Sequence, residues 1–173
     1  MKRNLFLITL SLFSISIFSQ QIVENQIDKF TKNKVIQVNA SSSKNWSTSD
    51  AVTKGMFKNV FVSFRKVNQT NYLQLGVSAN GYILCFSEDK EAILLFSDDS
   101  TLKLKNLDTN CDHNLVAGKF ILSDENLELL KTKELQGIRI YFSEGYSDYE
   151  IRKNKKAVIQ KTAELFHSTI TNE

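Results

Sequence analysis

Two cysteines and the residues beside one of them are the side chains of this 173-residue chain best suited by type to do chemistry. Cys85 and Cys111 are the only cysteines, and Asp112 and His113 follow the second of them. An even number of cysteines in an exported chain indicates a disulfide, which here would stabilise the fold by roughly 3–4 kcal/mol. The alternative is a zinc or nucleophile cluster at Cys111, Asp112 and His113, but the ligand spacings typical of zinc sites are missing. We predict a Cys85–Cys111 disulfide, no metal site and no cofactor.

Catalytic chemistry by acids and histidine is the next possibility. His113 could act as a general base, and the acidic pairs Glu88-Asp89 and Asp98-Asp99 could supply two carboxylates to a glycosidase. However, turn chemistry explains both acidic pairs, and His113 lies in the polar loop 108–114 without a nucleophile at a recognisable spacing. The sequence contains no G-x-S-x-G, H-E-x-x-H, phosphate-loop or EF-hand motif. We therefore predict no catalytic residue, and the pattern favours a protein that is not an enzyme.

Aromatic side chains are the better candidates for binding. Trp46 is the only tryptophan, and it lies in the polar segment 41–50. Aromatic rings anchor protein interfaces and stack on sugars, so Trp46, Tyr141, Tyr146 and Tyr149 are the predicted binding residues. The alternatives are a tryptophan that covers a sheet edge and tyrosines that serve as ordinary strand formers.

The N-terminus predicts export. Lys2 and Arg3 precede the apolar stretch Leu5 to Phe18, which is shorter than the roughly 20 residues that a membrane-spanning helix needs. We predict a signal peptide over residues 1–19, a single domain over residues 20–173, and a periplasmic or extracellular location. Removal of Lys2 and Arg3 leaves 20 basic residues against 19 acidic ones. This balance argues against nucleic acid as a partner, and no transmembrane segment is predicted in the mature chain.

Strand patterns fill the middle of the chain. Apolar residues alternate from Val60 to Lys105, with turn signals between the runs, which predicts a β-meander. Asn80-Gly81 is typical of a type I′ turn and predicts a hairpin that continues into Tyr82, Leu84 and Phe86. The wholly apolar run Ala92 to Phe96 predicts a strand covered on both faces. A further strand is predicted over residues 34–40.

The C-terminal third predicts two helices and a second hairpin. Ser123 is a suitable N-cap, and we expect Gly137 to end the helix that follows it. A hairpin turning at Glu144-Gly145 comes next, and a last helix is predicted near residues 154–170. The fold class predicted from these elements is α+β: an antiparallel β-meander sheet or open sandwich of about seven or eight strands, with one helix before the last hairpin and a C-terminal helix.

Three segments in the C-terminal half resemble those of a group of small, uncharacterised secreted bacterial proteins. The segments are residues 93–100, with sequence ILLFSDDS; the pair Asn110-Cys111; and IRIY at 138–141 with GYSDYEI at 145–151. The chain differs from that group at Asp99, where glycine is expected in the turn. The resemblance implies no substrate and no catalytic residue.

These features together favour a secreted, non-catalytic binding or accessory domain whose partner is a protein or glycan of the cell envelope. Two alternatives remain open. One is a small secreted hydrolase that uses His113 with an acidic residue. The other is a lipocalin-like carrier of an apolar ligand, because an exported meander with a C-terminal helix is similar to that plan.

Overall fold

Antiparallel β-strands dominate the computed structural model, which describes residues 20–40, 53–54 and 59–172, with only the backbone described at 53–54. The predicted signal peptide and Trp46 lie outside the described residues. The strands are β1 (Gln21–Ile27), β2 (Lys34–Asn39), β3 (Thr53–Lys54), β4 (Val60–Val67), β5 (Thr70–Ser78), β6 (Leu84–Phe86), β7 (Glu91–Phe96), β8 (Thr101–Lys105), β9 (Asn110–Asp112), β10 (Leu115–Leu122), β11 (Leu135–Phe142) and β12 (Gly145–Ile151). The helices are α1 (Asp124–Thr132) and α2 (Lys156–Thr171).

The strands form two five-stranded sheets and a two-stranded ribbon. The first sheet has the order β1-β2-β4-β5-β10, the second has the order β3-β12-β11-β7-β8, and β6 pairs with β9 in the ribbon. Each pair of neighbouring strands is antiparallel. The α+β prediction is therefore confirmed, with more strands than the seven or eight expected.

Alternate residues of both sheets contribute to one continuous core. Val62, Phe64 and Leu75 of the first sheet and Leu94 and Ile140 of the second are buried in the same cluster. Because side chains alternate between the two faces of a strand, the opposite faces of these strands point away from that core. The two sheets thus bury their apolar faces against a shared interior, as in a sandwich.

Aromatic rings connect the two sheets inside the core. The ring of Phe86 lies 6.2 Å from that of Phe120 in the first sheet and 5.2 Å from that of Phe142 in the second. Phe166 of α2 lies 5.6 Å from Phe64 and is fully buried. Helix α2 contacts β2 and β4 of the first sheet and β11 of the second. Phe86 and helix α2 therefore each contact both sheets.

The helices begin largely as the sequence predicts. The Ser123 hydroxyl accepts a hydrogen bond from the Asn126 N–H at 3.2 Å, which satisfies one of the free amides at the start of α1. The expectation for the end of α1 is wrong, because α1 stops at Thr132 and Gly137 lies inside β11. Lys133 leaves the helix in an extended conformation, with φ −110° and ψ 138°, so no glycine is required there.

The predicted meander is split between the two sheets. β4 and β5 form a hairpin in the first sheet, and β7 and β8 form one in the second. Asn80 and Gly81 do adopt positive φ values of 51° and 87°, but the strands on either side of this turn do not pair. Instead, β5 pairs with β10, and β6 pairs with β9. The turn therefore carries the chain out of the first sheet, and the hairpin predicted there is wrong.

The β6–β9 ribbon carries the disulfide. Cys85 and Cys111 are paired directly across the two strands, with a Cα–Cα distance of 4.1 Å, which confirms the predicted bond. Below the ribbon, the buried side-chain amide of Asn106 donates to the carbonyl oxygen of Ser87 at 3.0 Å and accepts from the Lys119 N–H at 3.1 Å. Asn106 also forms a backbone bridge with Phe120. These bonds attach the end of β8 to β10 and so join the two sheets at one corner.

Candidate functional site

The outer face of the second sheet presents an ordered array of polar and apolar side chains. Its strand register places Thr101, Leu95, Gly137 and Glu150 in one row across β8, β7, β11 and β12. The next row contains Lys103, Ile93, Arg139 and Asp148 in the same strand order. Each strand contributes alternate residues to this face because its other residues enter the core.

An arginine–carboxylate pair is the most ordered contact on this face. The Arg139 Nε donates to Asp148 Oδ1 at 2.6 Å, and Nη2 donates to Oδ2 at 2.7 Å. This bidentate contact lowers the pKa of the Asp148 carboxyl and raises the pKa of the Arg139 guanidinium. Both side chains therefore stay charged over the whole range in which the protein would be assayed.

Two tyrosines extend the pair along the sheet. Tyr141 and Tyr146 are cross-strand neighbours whose ring centroids lie 5.6 Å apart. The Arg139 guanidinium carbon lies 4.3 Å from the centroid of the Tyr146 ring, within the range of a cation–π interaction. Tyr146 is nevertheless 57% exposed. The result is an aromatic and cationic surface that is held in place and remains open to a partner.

A groove of about 550 Å³ is lined by Arg139 and Asp148 but not by Tyr141 or Tyr146, which form the next row along the outer face. Ile93 and Leu95 are half-buried in its lining, and Gly137 lies between them and Glu150 in the register. Because Gly137 has no side chain, the sheet surface is open at its centre. The prediction that Ala92 to Phe96 is covered on both faces is therefore wrong, since only Ala92, Leu94 and Phe96 are fully buried.

The structure brings two of the four predicted binding residues together and separates a third. Tyr141 and Tyr146 share the outer face, whereas Tyr149 is 3% exposed and belongs to the core, although it also contributes to the lining of the groove. Burial raises the pKa of the Tyr149 hydroxyl to about 12. Trp46, the fourth, lies outside the described residues.

Sequence reasoning missed the remaining residues of this face. The sequence predicts Arg139, Asp148, Ile93 and Leu95 only as members of strands, and Gly137 only as the residue that ends a helix. The alternation of Arg139 and Tyr141 with buried Ile138 and Ile140 was the available signal for β11, because it assigns both polar residues to the solvent side. No pattern within one strand could show that Arg139 faces Asp148.

In the second candidate cluster, at the Cys111–His113 segment, the thiol and the carboxylate already have bonds to neighbouring parts of the chain. Cys111 is in the disulfide, and the Asp112 carboxylate accepts hydrogen bonds from the backbone N–H groups of Asn114 and Leu115 at 2.6 and 3.3 Å. The Asn114 contact is the main reason that the pKa of Asp112 is lowered. The His113 ring is exposed, 3.9 Å from that carboxylate. In the described part of the chain, no group of three or more His, Cys, Asp and Glu residues is placed to bind a metal ion.

Comparison with known proteins leaves the structure as the basis for any functional assignment. No protein-family profile matches the chain, and neither the curated proteins nor the solved structures include one with significant similarity to it.

Proposed function

We propose that this protein is an exported, non-catalytic binding or accessory domain that contacts its partner through the outer face of the second sheet. The observation that carries the proposal is the exposed Tyr146, whose ring lies against the Arg139 guanidinium and at a tilt to the Tyr141 ring, beside a groove that Arg139 lines together with Ile93 and Leu95. Tyrosine and arginine are enriched among residues that dominate binding energy, and concave sites with apolar walls and a few polar groups are typical of ligand binding.

The Cys85–Cys111 disulfide supports the export part of the proposal, because disulfides are typical of an oxidising compartment. As a separate finding, none of the helices in the described residues is both long and apolar enough to cross a membrane. The resemblance to small secreted bacterial proteins fits the same location. Export predicts that the N-terminus of the mature protein is Gln20 or Gln21, which N-terminal sequencing of the natively produced protein would establish.

The geometry gives less support to the two alternative functions, a hydrolase and a lipocalin-like carrier. A hydrolase at His113 would need the Asp112 carboxylate, which two backbone amides of the loop already engage. A carrier would need room for an apolar ligand between the sheets. There, buried side chains from both sheets and α2 form one continuous cluster.

Co-sedimentation with the cell envelope of the producing organism tests the binding function. The natively exported protein is incubated with an envelope preparation, and bound protein is measured after centrifugation. We expect saturable binding by the unaltered protein and at least a roughly fivefold loss of affinity in Tyr146→Ala, as for the removal of an interface anchor.

Tyr82→Ala provides the matched control. Tyr82 is 67% exposed and lies beside the Asn80-Gly81 turn, outside the outer face of the second sheet. Its replacement should leave envelope binding unchanged. Binding no greater than that of serum albumin, or equal losses in the Tyr82 and Tyr146 variants, would rule out this role for the face.

A further inference from the structure

The charges around the groove are balanced. Its lining contains two basic residues, Lys103 and Arg139, and two acidic residues, Asp148 and Glu150. Since Arg139 and Asp148 also neutralise each other directly, the groove as a whole does not select a ligand with net charge. A strongly acidic or strongly basic partner would meet as much repulsion as attraction here.

Hydrogen-bonding groups of both kinds nevertheless surround the apolar walls. Arg139 uses two of its five N–H groups for Asp148, which leaves others for a ligand. Lys103 makes no ion pair with any described residue, so its ammonium group can also donate. Asp148 can accept through its remaining lone pairs, and the Thr101 hydroxyl can do either. Donors and acceptors thus lie on both sides of Ile93 and Leu95.

This combination matches one class of ligand better than others. A neutral sugar chain has polar hydroxyl groups at the edges of its rings and apolar C–H groups on the ring faces. Its hydroxyls both donate and accept, and its C–H faces pack on aliphatic and aromatic side chains. A lipid chain could not bond the remaining donors of Arg139 and Lys103, so covering them would cost free energy, and an acidic or basic peptide has no charge complement here.

We infer that the groove over Ile93, Leu95 and Gly137 binds a neutral oligosaccharide of the cell envelope, with Arg139 at the end of the site nearest Tyr146. This inference rests on the proposed binding function and specifies its ligand. Arg139 and Asp148 bond ring hydroxyls, and the half-buried aliphatic side chains pack against the C–H faces. The volume of about 550 Å³ lies within the range of small-ligand sites.

Selective destruction of envelope components tests the chemical class of the ligand. One portion of the envelope preparation is oxidised with periodate, which cleaves sugars at vicinal diols, and a second portion is digested with proteinase K. Binding of the exported protein should be lost after periodate and kept after proteolysis. Binding that survives periodate would overturn the inference while leaving a binding function in place. Absence of binding to the untreated envelope would instead remove the proposed function itself.

The location and the neutrality of the ligand are tested by amide chemical shifts. Oligosaccharides released from the same envelope are separated on an anion exchanger into neutral and acidic fractions. The neutral fraction should shift the amide signals of Ile93, Gly137 and Arg139 of ¹⁵N-labelled protein in a saturable way. Shifts produced only by the acidic fraction, or shifts confined to other strands, would contradict the inference.

Matched variants complete the test. Gly137→Val places a side chain in the groove and should weaken binding at least tenfold. Because a Cβ atom at residue 137 would lie 3.3 Å from the Tyr149 carbonyl oxygen, Ile93→Ser provides a second test, with an expected loss of at least threefold. Ile121→Ser alters an isoleucine of β10 in the first sheet that is 49% exposed, and should bind as the unaltered protein does. Equal affinity in Ile93→Ser and Ile121→Ser would contradict the site.

Discussion

Residue parity explains why tyrosines so close in sequence have different surroundings. Tyr146 and Tyr149 lie three residues apart on β12, so the alternation of a strand sends them to opposite faces. Spacing alone therefore indicated that they could not belong to one patch. The sequence also indicates which face is buried, because Tyr149 alternates with polar residues in step with Ile151, whereas Tyr146 shares a face with Asp148 and Glu150. The pairing of Tyr146 with Tyr141 depends on the register between β12 and β11.

The buried hydroxyl of Tyr149 should make the protein sensitive to alkali. Its pKa of about 12 in the fold exceeds the value of 10.0 for an ordinary tyrosine, so this hydroxyl loses its proton at a higher pH in the folded state than in the unfolded state. The contribution of this protonated hydroxyl to the free energy of unfolding is complete below about pH 10 and is lost as the pH rises toward 12. The difference between the two pKa values corresponds to a loss of roughly 2–3 kcal/mol.

Replacement of that hydroxyl isolates its effect. Relative to the unaltered protein, Tyr149→Phe should gain unfolding free energy between pH 9 and pH 12, measured by urea denaturation at fixed pH values. Tyr146→Phe removes an exposed hydroxyl from the same strand and is the reference for that chemical change. A difference between unaltered protein and Tyr149→Phe that stays constant with pH would contradict the assignment.

At the level of elements, the sequence located strands well but not their partners. The hairpins β7–β8 and β11–β12 could be predicted because short polar turns connect strands that do pair. At Asn80-Gly81 the turn residues were interpreted correctly, but β5 pairs instead with β10, which begins more than 30 residues later. The residues of a turn determine where the chain reverses direction, whereas long-range packing determines which strand each strand pairs with.

The β6–β9 ribbon should depend on its disulfide. Each strand has three residues, so few ladder hydrogen bonds hold them together, whereas Cys85 and Cys111 lie 26 residues apart in sequence. The double replacement Cys85→Ala with Cys111→Ala should lower the unfolding free energy by roughly 3–4 kcal/mol, because the unfolded chain gains freedom.

Hydrogen exchange would show which strands are destabilised when the disulfide is removed. Amides of β6 and β9 should exchange faster in the double variant, whereas those of β7 and β11, within the second sheet, should keep their order of protection. Uniform acceleration across both sheets, or unchanged exchange in the ribbon, would mean that the disulfide does not act locally on these two strands.

On the scale of the whole molecule, both sheets should unfold together. Phe166 of α2 is fully buried against Phe64, and α2 contacts strands of both sheets. Phe166→Ala should cost roughly 3–5 kcal/mol and keep a single transition, followed by circular dichroism in urea. Phe30→Ala is the control, since Phe30 is 96% exposed, and it should change stability little. Two separate transitions in the unaltered protein would contradict the shared core.

The α+β class followed from the sequence because strand and helix periodicities are local properties. The division into two sheets did not, because each sheet draws its strands from distant parts of the chain. Asp99 shows how a local departure can still be accommodated. It occupies the turn position where glycine is expected and adopts a φ of 63°, a conformation that aspartate tolerates better than most residues.

The strand order also fixes when each part of the protein can assemble during synthesis. β1, β2, β4 and β5 pair in sequence and can associate as soon as they are made. The second sheet must wait, because β7 lacks one neighbour until β11 exists, and β3 has no partner until β12 is complete. Until roughly the last 40 residues have been made, β7 and β3 therefore have unpaired edges to which other chains could bind. A ribosome stalled before β11 would consequently yield an aggregation-prone fragment.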